Sequence, residues 1–327
     1  CAGHRRGDQH SARGRAPLGG IMAGGGQTSG ASQSDSFAPV RYWLLLPSWL
    51  TLLVLVLAPV SMMALYSFLT KEFRGGVVWD FTLAAYDQFF FDRGLFGDEP
   101  PKLQWTYISI FWRSIWQAGL ATLMSLLIGF PTAYFIATRP EKQRALWVFL
   151  ITIPYWVNLL IRTVSMKFLL REQGPLNDFL LSTGLLSEPL AIVNTNFAVQ
   201  LGLFYSYLPF MVLPIYAAVE RYNFTLSEAA ADLYATRWVI LRRIILPSVK
   251  PGIIAGCILV FVPSLGSFLA PDLLGGAKNF MIGSLIEEQF KGNAGNWPFG
   301  AAASMILLTM VMLILMIFAQ QQAKGGK

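Results

Sequence analysis

Apolar residues in this chain come in long unbroken runs, and polar positions gather between them. Six windows contain no Asp, Glu, Lys or Arg: 42–70, 114–138, 145–161, 189–219, 251–271 and 292–323. A helix that crosses a bilayer needs about 20 apolar residues, with about 17–25 usual. In lipid, backbone polar groups must be satisfied within the helix itself or in a closed barrel. Each window supplies one span, so the pattern predicts an all-α membrane protein with six transmembrane helices. Their expected limits are about 43–69, 107–136, 146–170, 196–219, 252–272 and 299–321. The third window is short and reaches Leu170 only with Arg162 and Lys167 at its end.

The segments between the windows have characters of their own. Residues 1–40 hold nine of the 29 glycines and show no hydrophobic period, which predicts a disordered tail. Met22, followed by Ala-Gly-Gly-Gly, is the expected start of translation. The loop 71–106 is acidic and aromatic, with the run Phe89, Phe90, Phe91. It is too long for a simple turn and is expected to form a small cap or docking surface. A polar loop, 220–250, separates the fourth and fifth spans, and a short tail, 324–327, ends the chain.

Charge then sets an orientation. With the N-terminus inside, the inner segments carry fifteen basic and six acidic residues, and the outer ones seven and twelve. Short loops rich in Lys and Arg stay on the cytoplasmic side, so both termini are expected there. This also accounts for the net charge of +7, and nucleic acid is not needed as a partner. Charged residues make up 13% of the chain, against about 25% in soluble proteins, which excludes an ordinary soluble enzyme. Two cysteines, Cys1 and Cys257, and two histidines, His4 and His10, cannot build a disulfide framework or a zinc site. With both histidines in the tail, no His-based nucleophile pair or metal site is expected in the membrane. The chain has no Gly-x4-Gly-Lys-Ser/Thr, so ATP is expected to bind another polypeptide.

The loop between spans four and five reads as a helix–turn–helix knob. Thr225 with Glu228 three residues later makes a capping box, and Leu226, Ala229, Ala230 and Leu233 share a helical face. After a break near Ala235–Thr236, a second short helix carries an apolar stripe of Trp238, Leu241 and Ile245, with Arg242 and Arg243 facing polar surroundings. Pro247 and Pro251 are expected to interrupt that helix before span five. The segment resembles the EAA loop of ABC importer permeases: Glu228, Ala229, Ala230, Ile244, Leu246 and Pro247 fall at the spacing of that pattern. The pattern's Gly is Tyr234 here. Gly suits a left-handed helix end, where a Tyr is strained by roughly 1 kcal/mol. Either the turn is made differently or Tyr234 fills a pocket of a partner.

The resemblance extends over about residues 40–320. Ile153-Pro-Tyr-Trp-Val-Asn-Leu-Leu-Ile-Arg162, Arg171-Glu-Gln-Gly-Pro-Leu-Asn177, Leu208-Pro-Phe-Met-Val-Leu-Pro214, Asp272-Leu-Leu-Gly-Gly-Ala-Lys278 and Asn296-Trp-Pro-Phe-Gly300 look like permease subunits of spermidine/putrescine importers. The resemblance implies the type I ABC importer permease architecture in a bacterial inner membrane. It also implies a second homologous permease, two ATPase subunits holding ATP and Mg, and an extracytoplasmic binding protein. Coupling to the ATPase would fall to Glu228, Ala229, Ala230, Asp232, Leu233, Tyr234, Ala235, Ile244, Leu246 and Pro247. Glu228 as a capping residue alone is the competing reading, and the two are compatible.

Polyamines are flexible cations that call for carboxylates, carbonyls and aromatic faces. Asp272, at the outer end of span five, is the first candidate on a substrate path, with a helix cap as its other reading. Tyr155, Trp156 and Asn158 lie beside Pro154, whose ring exposes backbone carbonyls. Tyr205 and Tyr207 lie near Pro209. Aromatics in spans also pack against neighbouring helices. Ser267 stands where some relatives carry an acid, which leaves this path less acidic. Arg113, Arg162 and Lys167 are read as snorkelling to the outer interface. Two other classes compete: an ion-coupled secondary transporter needs ionisable groups at the midplane, and an intramembrane hydrolase needs a nucleophile with a base. Within the importer class, other small organic solutes remain rivals to polyamine.

Overall fold

The long apolar windows become long helices. The structure, a computed structural model, describes residues 38–72, 76–92, 102–276, 278–291 and 295–325. The expected disordered tail therefore lies, up to residue 37, outside the described residues. In chain order the main helices are α1 (Ala38–Tyr66), α3 (Trp105–Ala137), α7 (Asn196–Glu220), α10 (Leu246–Leu265) and α12 (Trp297–Gly325). The short ones are α2 (Ala84–Phe90), α4 (Glu141–Trp156), α5 (Leu159–Leu170), α6 (Pro175–Ser182), α8 (Thr225–Asp232), α9 (Arg237–Ile240) and α11 (Ile282–Phe290). Five stretches are long and apolar enough to cross a membrane: Pro47–Tyr66, Trp105–Ala137, Asn196–Glu220, Arg237–Leu265 and Trp297–Gln320.

The third window departs from expectation. In place of one span over 146–170, α4 and the helical segment from Leu159 meet at a bend of 90°. Among the described residues there are six candidate spans if this bent pair counts as one. Pro154 supplies the cause, since it lacks an N–H and its ring crowds the preceding turn. The helix stops two residues later, and Val157 and Asn158 are extended. Asn158 restarts the chain as α5, its side chain accepting from Leu160 N at 2.8 Å.

Packing divides the chain into two units, Cys1–Leu55 and Val56–Lys327. In the first, the described part is the beginning of α1, where the Thr51 hydroxyl donates to the Pro47 carbonyl at 2.7 Å. The second holds a core built from α3, α7 and α10. Small residues let these backbones approach, which is how apolar helices gain contact where lipid offers no hydrophobic drive. Met211 of α7 is fully buried. A Cβ on Gly129 of α3 would lie 3.0 Å from it, and one on Gly256 of α10 would lie 2.9 Å from its sulfur. A Cβ on Gly252 would strike Ala218 and lie 2.7 Å from the Pro214 carbonyl oxygen.

At the end of the bundle opposite α8, the described residues between α1 and α3 form two pairs of short antiparallel strands beside α2. Strand β1 (Thr70–Lys71) pairs with β2 (Val77–Val78), and β3 (Phe91–Asp92) with β4 (Lys102–Leu103). Of the aromatic run, Phe89 is buried against Tyr107, Phe111 and Phe299 at 6.0–6.4 Å between rings. Phe90 and Phe91 are exposed. The Arg171–Asn177 motif is a turn held by its own side chains. A Cβ on Gly174 would meet the Phe168, Leu169 and Arg171 carbonyls at 2.7–2.8 Å, so only glycine fits. Pro175 opens α6, where a missing N–H is harmless. Buried Asn177 donates to the Arg171 and Leu190 carbonyls at 3.0 Å and accepts from Leu190 N at 2.9 Å.

Candidate functional site

Two features answer to the candidate residues: the knob on α8 and the corner between α4 and α5. The knob starts where α7 ends. Tyr222 meets Phe224 edge-on at 5.2 Å, Phe224 faces Tyr134 of α3 at 6.5 Å, and the Tyr222 and Ser227 hydroxyls share a 2.7 Å bond. These contacts fix the base of α8 to the core. The expected Thr225–Glu228 capping box does not form. Asn223 caps instead, accepting from Thr225 N at 3.1 Å and from its hydroxyl at 2.7 Å. An Asn side chain reaches the backbone two residues on, and with Thr225 already inside the helix its hydroxyl is a donor here. Glu228 is left exposed in the first turn.

At the other end of α8, Tyr234 has φ of 60°. Ala235 N donates to the Ala230 carbonyl at 3.1 Å and Tyr234 N to the Ala231 carbonyl at 2.9 Å, the paired bonds of a Schellman turn. The left-handed turn is thus made with a tyrosine in the position that favours glycine. Its ring touches nothing and is 96% exposed. Leu226, Ala229, Asp232 and Leu233 are also exposed, whereas Ala230 and Ala235 pack partly against the core.

Beyond Thr236 the helix does not break as expected at Pro247. α9 runs through a π turn, Leu241–Ile245, straight into α10, and Arg237–Leu265 is one helix of 29 residues. The wider turn, with Leu246 N bonded to the Leu241 carbonyl, lets the chain pass a residue that has no N–H and a bulky ring. The same extra residue rotates the apolar stripe. Ile240 and Ile245 are buried, Leu241 and Ile244 half-buried, and Trp238 points outward with Leu246 and Pro247. Beside the knob, Glu220 accepts from the Tyr216 hydroxyl at 2.7 Å and pairs with Arg144 at 3.6 Å, tying α7 to the start of α4.

At the corner the snorkelling expectation for Arg162 fails. Arg162 is 6% exposed and folds back onto the open end of α4. One terminal nitrogen donates to the Tyr155 and Val157 carbonyls at 3.0 and 2.8 Å, and the other reaches the Ser206 carbonyl of α7 at 3.4 Å. Helix C-terminal carbonyls lack intrahelical donors, and the negative end of the helix dipole favours a cation there. Lys167, by contrast, lines a polar cleft of about 320 Å³ with Arg171, Glu172 and Asn194. Arg113 donates to the Lys278 carbonyl at 2.6 Å.

Three path candidates converge beside Arg162. Tyr155 packs edge-on against Phe210 at 5.0 Å, Tyr207 lies 6.3 Å from the same ring, and the Tyr207 hydroxyl donates to the Pro263 carbonyl at 3.3 Å and faces Ser267. Ser267 sits in the break after α10, covered by α11 where Gly283 leaves no room for a Cβ. Asn158 serves as the cap of α5. Trp156 is 81% exposed and Tyr205 is at the surface; neither joins this cluster.

Asp272 stands apart. α10 ends at Leu265, so Asp272 neither ends nor caps that helix but opens a π turn, Pro271–Gly275. Its carboxylate is met by Lys291 at 3.9 Å, and Lys291 also holds Glu287 at 2.6 Å. The hydrogen bond that Lys291 donates to the Glu287 carboxylate, with the charges of Glu287 and Asp272, keeps its ammonium above the usual lysine range. Sequence reasoning also missed a polar cluster between α3 and α7. There Gln117 donates to Asn196 at 2.9 Å, and Gln200 donates to the Gln117 carbonyl at 2.9 Å and to its side-chain oxygen. Arg162 carried a usable signal: a cation five and seven residues past a proline-ended helix is within reach of its last carbonyls. Among the described residues no three of His, Cys, Asp and Glu gather to hold a metal ion.

Residues 125–323 match the family described as binding-protein-dependent transport system inner membrane component. The spermidine/putrescine transport system permease protein PotB of Haemophilus influenzae is 40% identical over 271 residues, 83% of this chain and 89% of its own. PotB of Escherichia coli is 41% identical over 270 residues, 83% and 92% of the two chains. In fold, the chain is similar to a bacterial ABC transporter involved in the import of the acidic polysaccharide alginate. The TM-score is 0.64 at 18% identity, over 87% of this chain and 95% of that one. The chain therefore belongs to the inner-membrane components of binding-protein-dependent transport systems, as a permease subunit of an ABC importer and not an enzyme.

Proposed function

We propose that this permease forms half of the translocation path for polyamines, spermidine and putrescine, and that the α8 knob couples it to an ATPase. The substrate class rests on the 40–42% identity to spermidine/putrescine permeases over 83% of the chain. The coupling role is supported by one observation: a single tight turn after α8, the chain enters one helix, Arg237–Leu265, that is long and apolar enough to cross the membrane. The partners are two ATPase subunits holding ATP and Mg, a second homologous permease, an extracytoplasmic binding protein and membrane lipid. The excess of Lys and Arg around 139–144 and 221–250 supports a cytoplasmic side for the knob and both termini.

In this reading, ATPase subunits that close on ATP pull on α8 through Glu228 and the exposed Ala229, Leu233 and Tyr234. The continuous helix Arg237–Leu265 carries that displacement into the bilayer, and close packing at Gly252 and Gly256 passes it from α10 to α7. On the path, Tyr155 and Tyr207 offer ring faces to an ammonium, each worth about 0.5–2 kcal/mol. The test is ATP hydrolysis by the chain assembled in lipid with its ATPase, second permease and binding protein. Stimulation that needs both binding protein and polyamine is expected. A stable, hydrolysing complex indifferent to polyamine would replace the substrate with another small solute and leave the coupling role standing.

A further inference from the structure

Arg162 is the one charge of α5 that the fold draws inward, and nothing in the importer reading requires it. Its guanidinium forks across the last carbonyls of α4, at Tyr155 and Val157, and reaches the Ser206 carbonyl of α7. No carboxylate pairs with it among the described residues, and its Nε has no hydrogen-bond partner there. A buried cation that is paired only with carbonyls is unusual, because desolvating it is costly unless every donor finds a strong acceptor. What the arrangement achieves is geometric. The 90° bend leaves the end of α4 with carbonyls that have no helix to bond to, and Arg162 bonds two of them while tethering the corner to α7. The tethered carbonyl belongs to Tyr155, whose ring is set 5.0 Å from Phe210, and the guanidinium itself lies 5.7 Å from that ring.

We propose that Arg162 is a positioning residue of the translocation path, a clasp that holds the α4–α5 corner against α7 and so sets the Tyr155–Phe210–Tyr207 wall. The proposal rests on the path reading above for its effect on transport, and on geometry alone for the clasp. A planar guanidinium bonds several carbonyls at once, whereas a lysine ammonium on the same site is a point charge with shorter reach. Arg162→Gln removes the fork, and R162K keeps the charge without it.

Two readouts separate the clasp from the path. In a background lacking Cys1 and Cys257, the pair Y155C/F210C is treated with dibromobimane, which fluoresces only when it bridges two thiols. Polyamine uptake is measured in parallel on proteoliposomes of the full complex with the native Tyr155 and Phe210. Bridging is expected to be strong with Arg162, lost in R162Q and intermediate in R162K. The maximal uptake rate is expected to fall roughly tenfold in R162Q, as charged hydrogen bonds of this kind are lost. The half-saturating polyamine concentration should stay the same, because a binding protein captures the substrate. Full bridging in R162Q would overturn the clasp whatever transport does. Bridging lost with uptake unchanged would overturn the positioning role. If R162Q does not assemble, R162K decides: wild-type bridging and uptake in R162K would overturn the fork. A parent complex that bridges but takes up no polyamine would fail the substrate reading and leave the clasp intact.

Discussion

Replacing Tyr234 by glycine is expected to stabilise the knob even though it deletes an aromatic side chain. The residue sits at φ 60°, where an L side chain is strained by roughly 1–2 kcal/mol. Glycine has no such strain but loses more backbone freedom on folding, roughly 0.5–1 kcal/mol relative to alanine. Taken at mid-range, the difference leaves about 0.75 kcal/mol in favour of glycine. No packing is forfeited, because the ring is 96% exposed. The stabilisation belongs to the Schellman turn, so the place to read it is the amide of Ala235, which donates to the Ala230 carbonyl at 3.1 Å. Hydrogen exchange at that amide, corrected for intrinsic rate, should slow by roughly twofold to fivefold, as a local opening free energy rises by this amount. Tyr234→Ala keeps the strain and removes the ring, and should leave the exchange rate unchanged. Unchanged or faster exchange in Tyr234→Gly would refute the strain argument; faster exchange in Tyr234→Ala would show that the ring packs after all. Since both variants lack the ring, a fall in ATPase affinity common to them reports on docking and not on the turn.

Four further outcomes are expected. Gly252→Ala places a methyl against Ala218 and 2.7 Å from the Pro214 carbonyl and should destabilise the core by about 1–3 kcal/mol. The thermal melt in detergent should fall for it and not for Gly119→Ala, whose Cβ meets nothing within 4 Å. Asn177→Ala removes the three hydrogen bonds that this buried side chain makes to the Arg171 and Leu190 backbone, a loss of about 1–3 kcal/mol, and trypsin should cleave faster after the exposed Arg171. Glu228→Arg reverses an exposed charge that makes no cap bond among the described residues; the fold should be kept while polyamine-stimulated ATP hydrolysis and ATPase binding fall, and unchanged values would end the coupling role. Asp272→Ala frees Lys291 from one of its two acids; polyamine uptake should drop severalfold, and unaltered uptake would remove Asp272 from the path.

Much of the candidate site was legible in the residues, though for differing reasons. Tyr234 was singled out by the family pattern, which has a Gly there, but only the structure, with φ 60°, showed that the turn keeps its left-handed form. The segment Arg171–Asn177 was recognised only through its resemblance to the family, and the structure showed it to be a turn in which Gly174 and Asn177 have fixed roles. The capping box was misread because Asn223 and Thr225 both suit a helix start, and one hydrogen bond decides between them. The proline at 247 was misread as a stop because a π turn leaves no mark on hydrophobic pattern until its register shift is seen in which isoleucines are buried.

What the sequence by itself determined is the set of apolar windows, the polar loop between spans four and five, and the family they belong to. Lipid imposes those constraints on each segment separately, since every span must satisfy its own backbone bonds and charges within it are costly and therefore rare. What only the tertiary structure decided is where the segments bend and which side chains meet there. Pro154 could end a helix or merely kink it. The outcome depends on Arg162 finding the Tyr155, Val157 and Ser206 carbonyls, the last of them 44 residues along the chain. Tyr155, Tyr207 and Ser267 come from three different helical regions, and only packing through Phe210 and Pro263 gathers them. Hydrophobic pattern fixes how long a segment can remain in lipid, whereas the position of a donor beside an orphan carbonyl is a property of two segments at once.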